Sequence, residues 1–272
     1  MPVKIAVAGG LGRMGREITL LALSGPKEFT VTAVGVEDGA EFEGGTLGEA
    51  LSVKSTGHVL AEKGLRAHLQ AHKCDALLDV TGAEAGPLYM RAAIDAKVAF
   101  VSGSTGVAPA KLKEVATAAA KANVAGVWTP NFSVGVNVWF ALLGKAGKAL
   151  PDYDVEIVEL HHNQKKDAPS GTAAKGADVL QSARSGSKVI HGRSGMVGAR
   201  GNEIGVHAVR LGDVVGEHTA YLAGNAERIE ITHRAHSRQA FAAGALTAAT
   251  WVAGQKKGGL YSMADVLGLA WD

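Results

Sequence analysis

The sequence predicts a two-domain α/β protein. The first domain is a parallel sheet covered on both faces, and the second is an α+β domain on a mostly antiparallel sheet. Three observations predict it. Residues 3–15 place an apolar strand, a glycine-rich turn and a helical pattern in direct succession. Strand and helix patterns then alternate as far as residue 128, the signature of a sheet whose crossovers are helices. From Tyr153 onward the texture shifts to alternating strands with fewer helices.

Taken in order, residues 3–8 form a buried strand that runs into Gly-x-Gly-x-x-Gly at positions 10, 12 and 15. A helix follows, with Ile18, Leu21 and Ala22 at helical spacing. In that context the glycines serve a tight turn, close approach to a pyrophosphate and helix–strand packing, so the first half reads as a Rossmann-type dinucleotide-binding domain. A second strand, 30–36, ends in Glu37, where such a domain places the carboxylate that takes the ribose hydroxyls. Asp38 follows it, and two carboxylates would repel a 2′-phosphate, so NADH is expected over NADPH. The alternative, that Glu37 and Asp38 are ordinary turn residues, stays open at this point.

Strands at 75–80, 98–102 and 124–128 alternate with helices near 85–96 and at 109–122. Their carboxyl ends carry Thr81, then Gly103, Ser104, Thr105 and Gly106, then Thr129, Pro130, Asn131 and Phe132. Ligands of such sheets lie beyond the strand ends, so these loops are expected to face the nicotinamide. Each alone could be a plain turn.

The second half opens with a strand at 153–160, followed after a loop by a helix at 173–183. The loop carries His161, His162, Lys165, Lys166, Asp167, Ser170, Gly171 and Thr172. Ser170 sits as an N-cap, so the amides of Gly171, Thr172 and Ala173 are expected to face outward at the positive end of the helix dipole, a cradle for a carboxylate or phosphate. His161 can titrate near neutrality and pass a proton, and His162 and Lys165 add donors and charge. A solvated basic loop with a capped helix is the plain alternative. Adjacent histidines without a third ligand at metal spacing make a poor zinc site, so no metal is expected. Strands at 207–211 and 214–222 are expected to form a hairpin through Gly212 and Asp213, with another strand at 228–234. His207, His218, His233 and His236 are read as hydrogen-bonded strand or loop residues. A helix at about 238–254 and a helical stretch at 263–268 close the chain.

Composition narrows the class. Hydrophobic residues make up 47% of the 272 and charged residues 20%, as in a soluble globular protein. A net charge of +2, with no basic run interleaved with aromatics, gives no reason to invoke nucleic acid. Cys74 is the only cysteine, which excludes an internal disulfide and fits a reducing compartment. The start lacks the apolar core of a signal peptide, and no stretch reaches the roughly 20 apolar residues of a membrane span, so a cytoplasmic protein is expected.

The motifs together resemble the 4-hydroxy-tetrahydrodipicolinate reductase (dihydrodipicolinate reductase) family over essentially the whole length. The resemblance rests on five segments: Gly9 to Gly15, Gly103 to Gly106, Asn131-Phe-Ser-Val-Gly-Val-Asn137, Glu159 to Thr172, and Gly212-Asp-Val-Val-Gly-Glu-His-Thr219. It implies an NAD(P)H-dependent oxidoreductase of lysine and diaminopimelate biosynthesis that reduces a cyclic dicarboxylate imine to tetrahydrodipicolinate. It also implies a homotetramer assembled through the second-domain sheets. The dinucleotide domain would be 1–130 plus 241–272, and the substrate-binding and oligomerisation domain 131–240. Carried over by motif, Gly9, Gly10, Leu11, Gly12, Arg13 and Met14 would hold the pyrophosphate and Glu37 the ribose. Gly103, Ser104, Thr105, Thr129, Pro130, Asn131 and Phe132 would line the nicotinamide. His161 and Lys165 would handle the proton. His162, Ser170, Gly171, Thr172 and Thr105 would bind the dicarboxylate. The chain departs from several relatives in having Asp38 where they carry Arg, and Gly82 where some carry Arg. Two other functions compete. A different reductase on the same scaffold would lack the His-His-x-x-Lys and Ser-Gly-Thr combination. A non-catalytic dinucleotide sensor would be expected to have lost His161 or Lys165.

Overall fold

The computed structural model describes residues 1–25, 28–71 and 73–269. The chain folds as two compact units, Met1–Ser133 with Gln239–Gly268, and Val134–Arg238.

The first unit runs β1 (Val3–Ala8), α1 (Arg13–Ser24), β2 (Phe29–Val36), α2 (Leu47–Leu51), β3 (His58–Ala61), α3 (Glu62–Gln70), β4 (Ala76–Asp79), α4 (Ala85–Asp95), β5 (Ala99–Ser102), α5 (Pro109–Ala122) and β6 (Ala125–Trp128). Its strands stand in the order β12-β6-β5-β4-β1-β2-β3, where β12 is a late strand described below, and every ladder is parallel. Strand order reverses at β1, which lies between β2 and β4. A crevice therefore opens at the carboxyl ends of β1 and β4, the topological switch point of this architecture. Both faces of the sheet are apolar, because a parallel sheet is covered on both sides. Ile5, Val7, Val34, Leu78 and Val101 pack on one face against Ile18 of α1 and the late helix α8, while Ala6, Ala33, Leu77 and Phe100 pack on the other against Leu65, Met90 and Val115.

The second unit contains α6 (Val134–Ala149), β7 (Asp154–His161), α7 (Gly171–Ala183), β8 (Lys188–His191), β9 (Glu203–Arg210), β10 (Glu217–Ala223) and β11 (Arg228–Arg234). The chain then returns to the first unit as α8 (Gln239–Ala253), β12 (Gly259–Tyr261) and α9 (Met263–Leu267). Alternate residues of the second sheet face the helices. Val155, Ile157, Ile204, Val206, Ala220 and Leu222 bury against Trp139 and Leu143 of α6 and Ala177 and Leu180 of α7. Both helices of the unit pack on that one face.

Two expectations about this sheet change. Its order is β11-β10-β7-β9-β8, with β7 parallel to β9 and β9 to β8, while β10 is antiparallel to both β7 and β11. The sheet is thus mixed rather than mostly antiparallel. The Gly212-Asp213 turn does not close a hairpin, since β7 lies between β9 and β10. Its hydrogen bonds show why: the Leu211 amide donates to the His161 carbonyl at 2.9 Å, and the Asn163 amide donates to the Gly212 carbonyl at 3.1 Å. The turn is tied to the exit of β7, so a local turn signal is overridden by the longer-range pairing.

Candidate active site

The first unit brings its glycine turn, strand ends and acidic pair to one cleft. Gly9 has φ +73°, the left-handed region that glycine enters without a Cβ penalty. A Cβ at Gly15 would lie 2.1 Å from the Gly9 carbonyl oxygen, so only glycine lets α1 pack this close to the turn. The α1 N-terminus has Gly12 as its N-cap with no side-chain cap, which leaves the first-turn amides to an incoming anion. A cleft of 830 Å³ adjoins this turn, lined by Leu11, Glu37, Asp38, Thr81, Gly82 and Tyr89 among others. These residues fit a dinucleotide, with the pyrophosphate on the turn and the ribose at the acidic end.

The loops after β4, β5 and β6 are stitched together by a group the sequence reading passed over. Asp79, 1% exposed at the end of β4, accepts hydrogen bonds from the hydroxyls of Thr81 at 2.6 Å, Ser102 at 2.6 Å and Ser104 at 2.8 Å. Trp128 donates from Nε1 to the Ser104 carbonyl at 3.1 Å, which adds β6 to the set. The Thr129 hydroxyl donates to the Asn131 carbonyl at 2.8 Å and closes the next turn. Ser104 is therefore buried, whereas Thr105 is exposed. Phe132 is 5% exposed, with its ring filling the space where a Gly103 side chain would stand. Its side chain belongs to the core, so any role toward a ligand falls to its backbone.

The second unit gathers its functional groups around Glu159. This carboxylate is fully buried on the helix-facing side of β7, in phase with Val155 and Ile157. It accepts from His161 Nδ1 at 2.5 Å, from both Nη atoms of Arg210 at 2.9 Å, and from the Ser170 amide at 3.0 Å. Burial pushes its pKa up, but the bonds from His161, Arg210 and Ser170 outweigh this and bring it down to about 2. Glu159 is therefore an anion, and an acceptor only.

Ser170 caps α7 as expected, accepting from the Ala173 amide at 3.2 Å. Such a cap contributes on the order of 1 kcal/mol. It also corrects the expected cradle: the Ala173 amide is used internally, and Gly171 has open space beside its Cα at the helix start. Ser170 Oγ is also 3.0 Å from Nε2 of His218. His218 is 3% exposed and stacks edge-on to His161 at 5.2 Å between ring centres. Burial, followed by the repulsion of His161, pushes its pKa down to about 3, so it is neutral and serves as a wall rather than a proton donor. Lys165 Nζ donates to Asp167 at 2.9 Å, which holds that carboxyl below its ordinary value. His162 is half-buried one residue beyond His161.

Comparisons with known proteins show the family and the fold. Residues 3–132 match the family described as "Dihydrodipicolinate reductase, N-terminus", and residues 135–267 match "Dihydrodipicolinate reductase, C-terminus". The chain is 44% identical over 268 residues to the 4-hydroxy-tetrahydrodipicolinate reductase of Methanosarcina barkeri, covering 98% of this chain and 100% of that one. It is 42% identical over 270 residues to that of Methanocaldococcus jannaschii, covering 98% of each. Among solved structures, it is similar to dipicolinate-bound dihydrodipicolinate reductase from Paenisporosarcina sp. TG-14, with a TM-score of 0.80 and 25% identity over 97% of this chain and 99% of that one. A probable dehydrogenase from Thermotoga maritima, at 13% identity and a TM-score of 0.64, shares the fold, with 97% of this chain and 92% of that one covered.

Proposed function

The chain belongs to the dihydrodipicolinate reductase family, an oxidoreductase family with a pyridine-nucleotide domain, and from this premise we propose that it reduces 4-hydroxy-tetrahydrodipicolinate, or its dehydrated form, to tetrahydrodipicolinate with NADH preferred. The observation that carries the chemistry is His161, held by the Glu159 carboxylate within reach of a capped helix start in the second unit. A dicarboxylate substrate suits that helix start. The Gly171 amide, the Thr172 hydroxyl and His162 bind its carboxylates, while Ser170 caps the helix that presents them. The Paenisporosarcina relative, a dipicolinate-bound dihydrodipicolinate reductase, supports this class of ligand.

A reduced nicotinamide in the 830 Å³ cleft supplies a hydride to the conjugated imine. Reduction of one double bond also consumes one proton, and His161, with Lys165, supplies it. The Glu159 anion stabilises the protonated ring of His161 before transfer and leaves its Nδ1–H in place afterwards. Gly9, Gly10, Leu11, Gly12, Arg13 and Met14 bind the pyrophosphate. Gly103, Ser104, Thr105, Thr129, Pro130, Asn131 and the Phe132 backbone line the nicotinamide. The lysine and diaminopimelate pathway is the metabolic setting, and the cytoplasm the compartment. Cys74, a buried free thiol whose pKa burial pushes up to about 12, is compatible with that setting.

The NADH preference rests on Glu37 and Asp38, both exposed at the end of β2 and lining the cleft together with Glu62 and Glu84. A 2′-phosphate placed there meets like charge, at about 1–4 kcal/mol for a pair 4 Å apart. NADPH should therefore react with a kcat/KM lower by roughly tenfold or more. The test follows nicotinamide oxidation with each cofactor, using substrate made in place from pyruvate and aspartate semialdehyde by the preceding synthase. Faster oxidation of NADH supports both reaction and preference. Faster oxidation of NADPH keeps the reaction and removes the ribose argument, and no turnover with either defeats the proposed activity.

We propose a homotetramer as well. The face of the second sheet opposite α6 and α7 presents Val158, Leu160, Val209, Thr219 and Tyr221, and Val209 is 39% exposed. On the same face Glu156 is bracketed by Arg193, Arg200 and His207 at 2.7–3.2 Å. An apolar band beside satisfied charges suits an interface. Light scattering should return about four times the 27.9 kDa chain mass, and a monomer would remove this part of the proposal.

A further inference from the structure

Four hydrogen-bond donors converge on Glu159, and their arrangement decides more than stability. They are His161 Nδ1, two guanidinium nitrogens of Arg210 and the Ser170 amide. Arg210 is itself steadied by donating to the Asp167 carbonyl at 2.7 Å. A buried ion pair is weak evidence for net stability, because desolvation offsets much of the attraction. What four donors on one acceptor do accomplish is to fix geometry. Because the carboxylate is ionised and accepts only, the hydrogen in its contact with His161 belongs to the ring, on Nδ1. Nε2 is then the nitrogen left for chemistry. Its surroundings agree: a Cβ at Gly216 would stand 3.0 Å from His161 Nε2, so glycine at that position keeps the atom uncrowded.

We propose that Glu159, clamped by Arg210, is the positioning residue that locks His161 as its Nδ1–H tautomer, so that Nε2 delivers the proton, and that ties this donor to the carboxylate cradle through the Ser170 amide. The inference rests on the reading of His161 as proton donor. Glu159 lies at the inward position two residues before His161 on β7, Arg210 comes from the end of β9, and Ser170 from the start of α7. One carboxylate thus joins three elements that carry the proton donor and the anion site. The ring that meets His161 edge-on is that of His218 on β10, held neutral by burial.

Glutamine at 159 keeps the shape and reverses part of the chemistry. Its NH₂ would face donors on whichever side it lay, Arg210 with Ser170 or Arg210 with His161. The experiment compares wild type, E159Q, H161Q and the double variant as full chains, reading kcat, KM and the ¹⁵N chemical shifts of His161. In the wild type, neutral His161 should be the Nδ1–H tautomer. In E159Q it should shift toward Nε2–H. With it kcat should fall by roughly 10²–10⁴-fold, the range for a lost acid or a wrong tautomer, and KM should change by no more than about threefold. The double variant should be no slower than H161Q within about twofold, because the two act as one unit. An Nε2–H tautomer in the wild type overturns the proposal whether or not E159Q folds. A folded E159Q with kcat within about threefold of wild type, or losses that add in the double variant, overturns it as well. An inactive wild type whose His161 is nonetheless locked as Nδ1–H would strike at the proposed reaction and leave the tautomer lock standing.

Discussion

Replacing His161 with glutamine is expected to lower kcat by about 10²–10⁴-fold while KM for the dicarboxylate stays within about threefold. The side-chain amide can still donate toward Glu159, so the buried carboxylate keeps a partner and the fold should survive. What is lost is the imidazole, the group proposed to give and take the proton. A kcat effect without a KM effect separates proton transfer from substrate binding, since the latter would raise KM and leave kcat in place. Retained kcat with a raised KM would recast His161 as a carboxylate-binding residue. Lys165→Ala, measured beside it, divides the work between the two. Lys165 is partly exposed and bonded to Asp167, outside the Glu159 network, and near-normal kcat in that variant would remove it from the proton path.

Gly15→Ala should be nearly as damaging, through the cofactor. The added methyl would sit 2.1 Å from the Gly9 carbonyl oxygen and 2.6 Å from Gly10 Cα, and both are backbone atoms of the turn itself. No rotamer relieves that clash, so either α1 withdraws from the sheet or the turn opens. Overpacking of this kind costs about 1–3 kcal/mol of stability. Because the proposed pyrophosphate site is this same turn, NADH affinity should fall roughly ten- to a hundredfold, which is the same energy expressed as binding. Thermal unfolding and NADH fluorescence titration of the one variant measure the two effects. A folded G15A chain that binds NADH as tightly as wild type would show that the pyrophosphate does not rest on this turn.

Much of the first unit is legible in its residues because buried parallel strands are short apolar runs. Ile5–Val7 and Leu77–Leu78 sit between punctuating glycines and helical spacing, and periodicity finds them. The stretch 38–61 escaped because α2 has five residues and β3 four, too few for a period to declare itself after Glu41, Glu43, Gly44 and Gly45, while α3, with Leu65 and Leu69 buried one turn apart, does carry a helical spacing. The sixteen residues of α6 were hidden by their start, since Val134, Gly135, Val136 and Val138 all have weak helix propensity. Burial decided for a helix there, with Val136, Trp139, Phe140 and Leu143 on one stripe against the sheet. At the site, the loop from His161 to Thr172 was readable as chemistry. Glu159 could have been found from parity alone, as a carboxylate two residues beyond Ile157 on the inward side of β7. Arg210 and His218 stand 51 and 48 residues from their partners Glu159 and Ser170, and nothing local announces such a pairing.

The first unit borrows α8 and β12 from the far end of the chain. Ala242, Ala245, Leu246, Ala249 and Val252 of α8 complete one apolar face of its sheet, and β12 extends the edge beyond β6. During synthesis, therefore, the parallel sheet emerges with one flank bare and stays so until α8 and β12 have left the ribosome. The segment Val134–Arg238 meets no such delay, because its sheet and both covering helices are contiguous in the chain. The second unit can thus mature before the first, and the interval between them is the nascent chain's window of exposure to chaperones and to aggregation.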